Sequence, residues 1–111
     1  MTTSARAIEN YETLLTLSRE LREAAARGEW ERLTEVQKRR AILVDAMAPI
    51  DSATSLDEPA RRRKDALIEQ ILADEAETRT LVKSWMTQMQ QAIQDGRQEL
   101  RLLKEYRRHA G

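Results

Sequence analysis

Few side chains in this sequence could take part in catalysis. The chain has no cysteine, and its single histidine, His109, lies in the last residues of the sequence, where helices commonly fray. Acidic neighbours such as Asp74 and Glu75 lie in densely charged stretches, where ion pairs on a helix face are the simpler interpretation. The three glycines, at positions 28, 96 and 111, are too far apart to form a phosphate-binding loop. The sequence therefore predicts a protein that is not an enzyme and that holds no cofactor or metal ion.

The charged residues are abundant and balanced in sign. Their numbers, 19 basic and 19 acidic, give no net charge that would attract nucleic acid or an anionic membrane to the whole protein. Basic residues nevertheless cluster at residues 38–40, 61–64 and 104–108. The cluster at 61–64, from Arg61 to Lys64, lies in the first turns of a predicted helix, where the helix dipole favours negative charge. Two interpretations stay open for it: a solvated helix face, or a contact with the acidic groups of a partner, DNA included.

Strong helix formers dominate the composition, so we expect helices to position the charged side chains. Ala, Leu, Glu, Gln, Arg and Lys are common, whereas glycine occurs three times and proline twice. The spacing of apolar residues predicts one domain, residues 1–111, with helices at about 4–27, 29–48 and 59–95, a loop at 49–58, and a C-terminal helical segment at about 97–108. We therefore expect an all-α fold, an antiparallel bundle of three to four helices.

Gly28 marks the predicted turn of a helical hairpin. A glycine just after a helix readily adopts a positive φ angle, and Trp30 and Leu33 follow as the first apolar positions of the second helix. A link this short makes the two helices antiparallel neighbours, and we expect this hairpin to pack on the long third helix. We also expect the Trp30 ring to be buried at the turn. Gly28, Trp30 and Leu33 are thus the residues predicted to define the fold.

The predicted third helix carries more apolar surface than the hairpin can cover. Helices of about 20 residues span roughly 30 Å, whereas residues 59–95 would span about 55 Å. The distal half includes Trp85, Met86 and Met89, which combine a large rigid side chain with two adaptable ones, a mixture suited to binding partners. An ordinary protein core is the alternative. The residues predicted to bind a partner are Leu81, Val82, Trp85, Met86, Met89 and Ile93.

The apolar spacing continues beyond Gly96. Leu100, Leu103 and Tyr106 extend the stripe, and the hairpin has no obvious surface left to cover them. Either this C-terminal segment folds back onto the third helix and regulates access to it, or another chain covers the stripe. The sequence does not decide whether Gly96 breaks the third helix or is carried through it, at a cost of about 1 kcal/mol relative to alanine.

The residues around the turn resemble a known family. Residues 25–30, with the sequence AARGEW, followed by Leu33, Arg39 and Leu43, look like the first helical hairpin of the FliT-type flagellar export chaperones. Two short helices, a proline-containing loop and a long third helix are similar to that family over most of the chain. The resemblance implies a cytoplasmic chaperone that binds the C-terminal part of the flagellar filament cap protein and delivers it to the type III export gate. It also implies contacts with the export ATPase and, in some bacteria, with the flagellar master transcriptional regulator.

The same resemblance implies that the C-terminal segment, about residues 96–108, folds onto the third helix and restrains binding until cargo displaces it. Two other functions stay open. One is a structural module in which two copies pair as a homodimer through the same stripe. The other is a small DNA-associated regulator that uses Arg61–Lys64. Residues 1–7 lack the apolar core of a signal peptide, and the longest run of large apolar residues is 42–44, so we expect neither secretion nor membrane insertion.

Overall fold

A computed structural model describes residues 3–110, without the side chains of residues 109 and 110, so the side chain of His109 lies outside the described residues. Three α-helices and no strand occur in this range: α1 at Thr3–Arg27, α2 at Trp30–Ala53 and α3 at Glu58–Ala110. The chain divides into two compact units, Met1–Leu81 and Val82–Gly111, where the sequence analysis treats it as one domain. The all-helical class is confirmed.

The predicted turn between α1 and α2 is present. Gly28 adopts a φ angle of 67°, a left-handed conformation that costs little only for glycine. The backbone N–H groups of Gly28 and Glu29 donate to the carbonyl oxygens of Ala25 and Ala24, at 3.2 Å and 2.9 Å. These bonds satisfy the last carbonyl groups of α1 and reverse the chain, so that α2 starts two residues later.

All three helices contribute to the core of the first unit. Two clusters of buried side chains run along α1 and hold the other helices against it. One contains Leu14, Leu15, Met47, Leu67 and Ile71, and the other contains Leu17, Leu21 and Val36. The first cluster joins the later part of α2 to the earlier part of α1, and the second cluster joins the earlier part of α2 to the later part of α1. The two helices are therefore antiparallel, as predicted for the hairpin. Leu33 packs against the second cluster.

The expectation that Trp30 is buried is wrong. Its side chain is 36% exposed. Trp30 is the first residue of α2, and helical side chains point back toward the N-terminus of their helix, so a side chain at this position lies at the end of the hairpin. The inward positions of α2 begin with Leu33 and Val36 instead.

The predicted loop at 49–58 is also wrong in length, because α2 continues through Pro49 and ends at Ala53. Proline removes one backbone hydrogen bond from a helix, but the following turn is held by other groups. The Tyr11 hydroxyl of α1 donates to Asp51 Oδ2 at 2.6 Å, and the Thr54 hydroxyl donates to the Ile50 carbonyl oxygen at 2.5 Å. The loop is therefore only residues 54–57. Asp57 caps α3 by accepting the Ala60 N–H at 2.9 Å, as an N-cap residue does.

The third helix runs without a break through Gly96, so the separate C-terminal segment predicted at 97–108 is part of α3. Residues 97–108 continue the helix of residues 82–95 and do not fold back onto it. A Cβ atom at Gly96 would meet nothing within 4 Å. Strong helix formers such as Gln98, Glu99 and Leu100 follow this glycine, and they offset its cost of about 1 kcal/mol relative to alanine.

Candidate partner-binding surface

Apolar residues of the second unit recur at alternating intervals of four and three residues along α3. Six apolar side chains and one glycine occupy these positions: Val82, Met86, Met89, Ile93, Gly96, Leu100 and Leu103. We call this set the distal seam. A repeat averaging 3.5 residues keeps one face of a helix turned toward a neighbouring helix, as in coiled coils.

The distal seam is exposed to solvent. Met86, Met89, Ile93, Leu100 and Leu103 each retain between 51% and 59% of their accessible surface. Among residues 82–108, whose side chains the structure describes, none is buried. An apolar face of this extent is rare on a protein that acts alone, and usually marks an interaction site.

The structure brings most of the predicted partner-binding residues onto this face. Met86, Met89 and Ile93 are exposed on the distal seam, whereas Val82 and Trp85 are partly buried. Leu81 is the last residue of the first unit and is partly buried there. The binding role of these residues stays a prediction.

The residues predicted to form a regulatory tail lie on the same helical face. Leu100 and Leu103 belong to the distal seam, and Tyr106, 73% exposed, follows one turn later. Glu99, Leu102, Leu103 and Tyr106 line a shallow, open depression on this face. Sequence reasoning missed Leu102, which is exposed but lies outside the regular spacing beside Leu103. These residues thus extend an accessible surface in this structure and do not cover one.

The two edges of the distal seam differ in chemistry, a feature that the sequence analysis missed. One edge repeats every seven residues and consists of Lys83, Gln90, Arg97 and Lys104, all exposed. We call it the basic edge. The opposite edge, which we call the aromatic edge, consists of Trp85, Ala92, Glu99 and Tyr106. Both edges can be identified from the sequence alone, by following the positions that flank the seam at intervals of seven residues.

A comparison with protein families decides the family of this chain. A family model described as Flagellar protein FliT matches residues 8–108, which is nearly the whole chain. The chain belongs to the FliT family. No curated protein and no solved structure matches it. The match covers the hairpin and the distal seam alike, and the FliT family is not a family of enzymes.

Acidic residues of this FliT-family chain hold the first unit together. Asp74 of α3 is only 8% exposed, and its carboxylate accepts a hydrogen bond from Arg22 at 2.7 Å. Glu75 of the same helix pairs with Arg40 of α2. The neighbouring carboxylates that the sequence placed in ion pairs therefore connect α3 to both helices of the hairpin, at partly buried positions.

The basic cluster at Arg61–Lys64 is interleaved with acidic groups in the FliT-family chain. Arg62 pairs with Glu58 at 3.2 Å and Arg63 with Glu12 at 3.7 Å. Lys64 lies over the Tyr11 ring, with Nζ 5.4 Å from the ring centroid. The cluster is therefore partly neutralised by neighbouring acidic groups.

Tyr11 lies at the contact between α1 and α2, where its pKa is shifted. Burial, the hydrogen bond to Asp51 and the charge of that carboxylate raise the pKa of Tyr11 to about 12. This hydroxyl serves the packing of α1 on α2.

In the part of the chain that the structure describes, no group of three metal-ligating side chains is close enough to hold an ion. No helix in that part is long and apolar enough to cross a membrane.

Proposed function

We propose that this protein is a cytoplasmic flagellar export chaperone whose distal seam binds the C-terminal part of the filament cap protein and prevents its premature assembly. The observation that carries the proposal is the long, exposed apolar face of the second unit in a chain of the FliT family. In the resembled chaperones the cargo is this cap protein, and delivery leads to the type III export gate.

The geometry of the distal seam suits a helical ligand. An amphipathic helix laid along it would cover side chains at intervals of three and four residues, which is the helix-in-groove mode of recognition. Each of the five large, half-exposed side chains would contribute on the order of 1 kcal/mol on full burial. After the cost of association, this gain supports a reversible complex, which a carrier that must release its cargo requires.

The continuous α3 changes the role that we propose for residues 97–108. Because Leu100 and Leu103 lie on the distal seam, we assign them to cargo binding together with Tyr106, and not to a lid. Removing residues 96–111 is therefore expected to weaken cargo binding, whereas a lid would leave the affinity unchanged or increased. The export ATPase and, in some bacteria, the flagellar master regulator complete the proposed partners.

The decisive experiment is calorimetric titration of the cap protein into the full chain and into Met89→Asp/Ile93→Asp. We expect a loss of affinity of at least about a hundredfold, because two carboxylates would be buried without partners at the centre of the interface. Gln91→Asp/Gln94→Asp, which adds the same charge at exposed positions outside the seam, serves as the control and should retain binding. Equal affinity of the two double variants would reject the distal seam as the cargo site.

The same seven-residue repeat also favours a second candidate, a structural homodimer in which two copies of α3 pair without cargo. Sedimentation of the purified chain at micromolar concentration separates the two functions. A monomer would reject the homodimer, and a stable dimer that does not bind the cap protein would reject the chaperone.

A further inference from the structure

We propose that the distal seam selects a helix with acidic residues on the side that faces its basic edge and with a large apolar side chain opposite Gly96. The proposal rests on the proposed function in one respect, since it takes the distal seam as the surface where cargo binds. It adds the chemistry by which a cargo helix would be recognised.

The distribution of charge between the two units favours an acidic partner. The second unit contains six basic and three acidic residues, whereas the first unit contains 13 basic and 16 acidic residues. In a chain without net charge, positive charge is therefore concentrated on the exposed helix. Lys83, Arg97 and Lys104 place three of these charges along one edge of the seam, and no acidic residue shares that edge.

These basic side chains are available to a partner. No ion pair forms among the described side chains of residues 82–108, in contrast to the pairs of Arg22 and Arg40 in the first unit. In paired helices, the residues that flank the apolar seam lie opposite the flanking residues of the partner and govern partner choice. A partner with Glu or Asp in those positions gains attraction, and a partner with Lys or Arg meets repulsion.

Gly96 favours a large apolar side chain on the partner. Six of the seven seam positions carry apolar side chains, but the fifth carries none, and the space where its Cβ would lie is open. The seam thus has a gap between Ile93 and Leu100. A leucine or an aromatic side chain of a partner fits such a gap, because packed helix pairs fill each hole of one helix with a side chain of the other.

A second copy of this chain fits the seam less well in either orientation. In an antiparallel pair, like edges face each other, so the basic edge of one copy would lie against the basic edge of the other. In a parallel pair in register, Gly96 would face Gly96 and leave that layer of the interface empty. A different chain, acidic at its edges and bulky at this layer, avoids both penalties.

The charge preference can be measured with two synthetic helical peptides that match the seam in length. Both carry leucine at the seven-residue repeat, and they differ only in having glutamate or lysine at the flanking positions. Titrated into the full chain at low salt, the glutamate peptide should bind at least about tenfold more tightly than the lysine peptide, and added salt should reduce the difference. Equal affinities would overturn the charge assignment.

Two variants of equal charge show where the preference arises. Arg97→Glu/Lys104→Glu inverts the basic edge and should reverse the order of the two peptides. Arg101→Glu/Arg108→Glu changes the net charge by the same amount at exposed positions away from the seam, and should keep the original order. A reversal by both variants would mean that net charge alone is responsible, which overturns a role for the basic edge.

The gap at Gly96 is tested by exchanging large and small groups across the interface. The unmodified chain should prefer a peptide with leucine at the facing layer over one with alanine there, and Gly96→Leu should invert this preference. Circular dichroism should show undiminished helix, because leucine favours helix over glycine. Tighter binding of both peptides by Gly96→Leu would overturn the gap.

The cap protein distinguishes failure of this inference from failure of the proposed function. Binding of the cap protein that is unaffected by Arg97→Glu/Lys104→Glu would leave the chaperone standing and reject the basic edge as its specificity determinant. A preference for the glutamate peptide without any binding of the cap protein would reject the cargo and retain the inferred recognition chemistry. A chain that sediments as a dimer and binds neither peptide would show that a second copy occupies the seam.

Discussion

The two parts of α3 carry apolar residues at helical spacing, but only one part is covered. In the first unit, Leu67 and Ile71 are 1% and 4% exposed and pack against α1 and α2. In the second unit, Leu103 belongs to an apolar stripe with similar helical spacing, but it keeps 53% of its accessible surface. Periodicity therefore identifies the face of a helix that is suited to burial, but it does not identify the partner that covers this face, which can belong to the same chain or to another.

The charged residues show the same contrast. In the first unit, Asp74 and Glu75 of α3 are held by arginines of the two hairpin helices. In the second unit, Arg97 and Lys104 have no carboxylate partner among the described side chains. Charges in the first unit therefore stabilise the fold, and those in the second unit are available for recognition.

The largest expected effect separates two leucines of the same helix. Leu67→Ala should lower the free energy of unfolding by about 2–5 kcal/mol, because it leaves a cavity where three helices meet. Leu103→Ala should change it by less than about 0.5 kcal/mol, because its side chain is already half exposed. Urea denaturation followed by circular dichroism measures both. Similar losses would mean that the second unit is packed like the first.

A smaller effect is expected from the charged groups. Arg22→Ala removes a charged hydrogen bond to the nearly buried Asp74 and should cost about 1.5–3 kcal/mol of unfolding free energy. Arg97→Ala removes a charge from the exposed basic edge and should leave stability unchanged within error. If the two arginine variants were equally stable, the contrast between paired and available charges would not hold.

The smallest effect comes from Tyr11. Tyr11→Phe should cost about 0.5–1.5 kcal/mol through loss of the hydrogen bond to Asp51. Because the pKa of Tyr11 is raised to about 12 in the folded chain, this contribution is complete below the ordinary pKa of 10.0 and is lost as the pH rises through about 12. Unfolding measured near neutral pH and near pH 11 checks this, with Tyr106→Phe as the exposed control. The difference in unfolding free energy between Tyr11→Phe and the unmodified chain should become smaller at high pH. A difference that grows with pH would contradict the raised pKa of Tyr11.

Local chemistry made much of the fold predictable. Gly28 supplied the positive φ angle of the turn and Asp57 the cap of α3, since each residue acts through its own backbone or its near neighbours. The continuation of α2 through Pro49 could not be predicted, because the hydrogen bond between Tyr11 and Asp51, which holds the following turn, joins residues far apart in sequence. The exposure of Trp30 could not be predicted either, because it depends on the place of this residue at the end of the hairpin and not on its apolar character.

The candidate site was predictable in part for a related reason. The apolar positions from Val82 to Ile93 follow from spacing alone, and so does their continuation at Leu100 and Leu103. Whether Gly96 breaks α3 depends on a balance of about 1 kcal/mol between glycine and its neighbours, which no pattern resolves. The fold-back of the tail is an expectation from the family resemblance, and the continuous helix replaces it with a longer exposed apolar face.

Amide hydrogen exchange of the chain, alone and with the cap protein, would show whether the distal seam is uncovered in the free chain and becomes covered by the cargo. Without a partner, amides of residues 86–103 should exchange rapidly, because no core covers this part of α3, while those of the buried positions around Leu67 exchange slowly. Addition of the cap protein should slow exchange at residues 86–103 and leave the first unit unchanged. Slow exchange of these residues in the free chain, or protection confined to the first unit, would contradict the account.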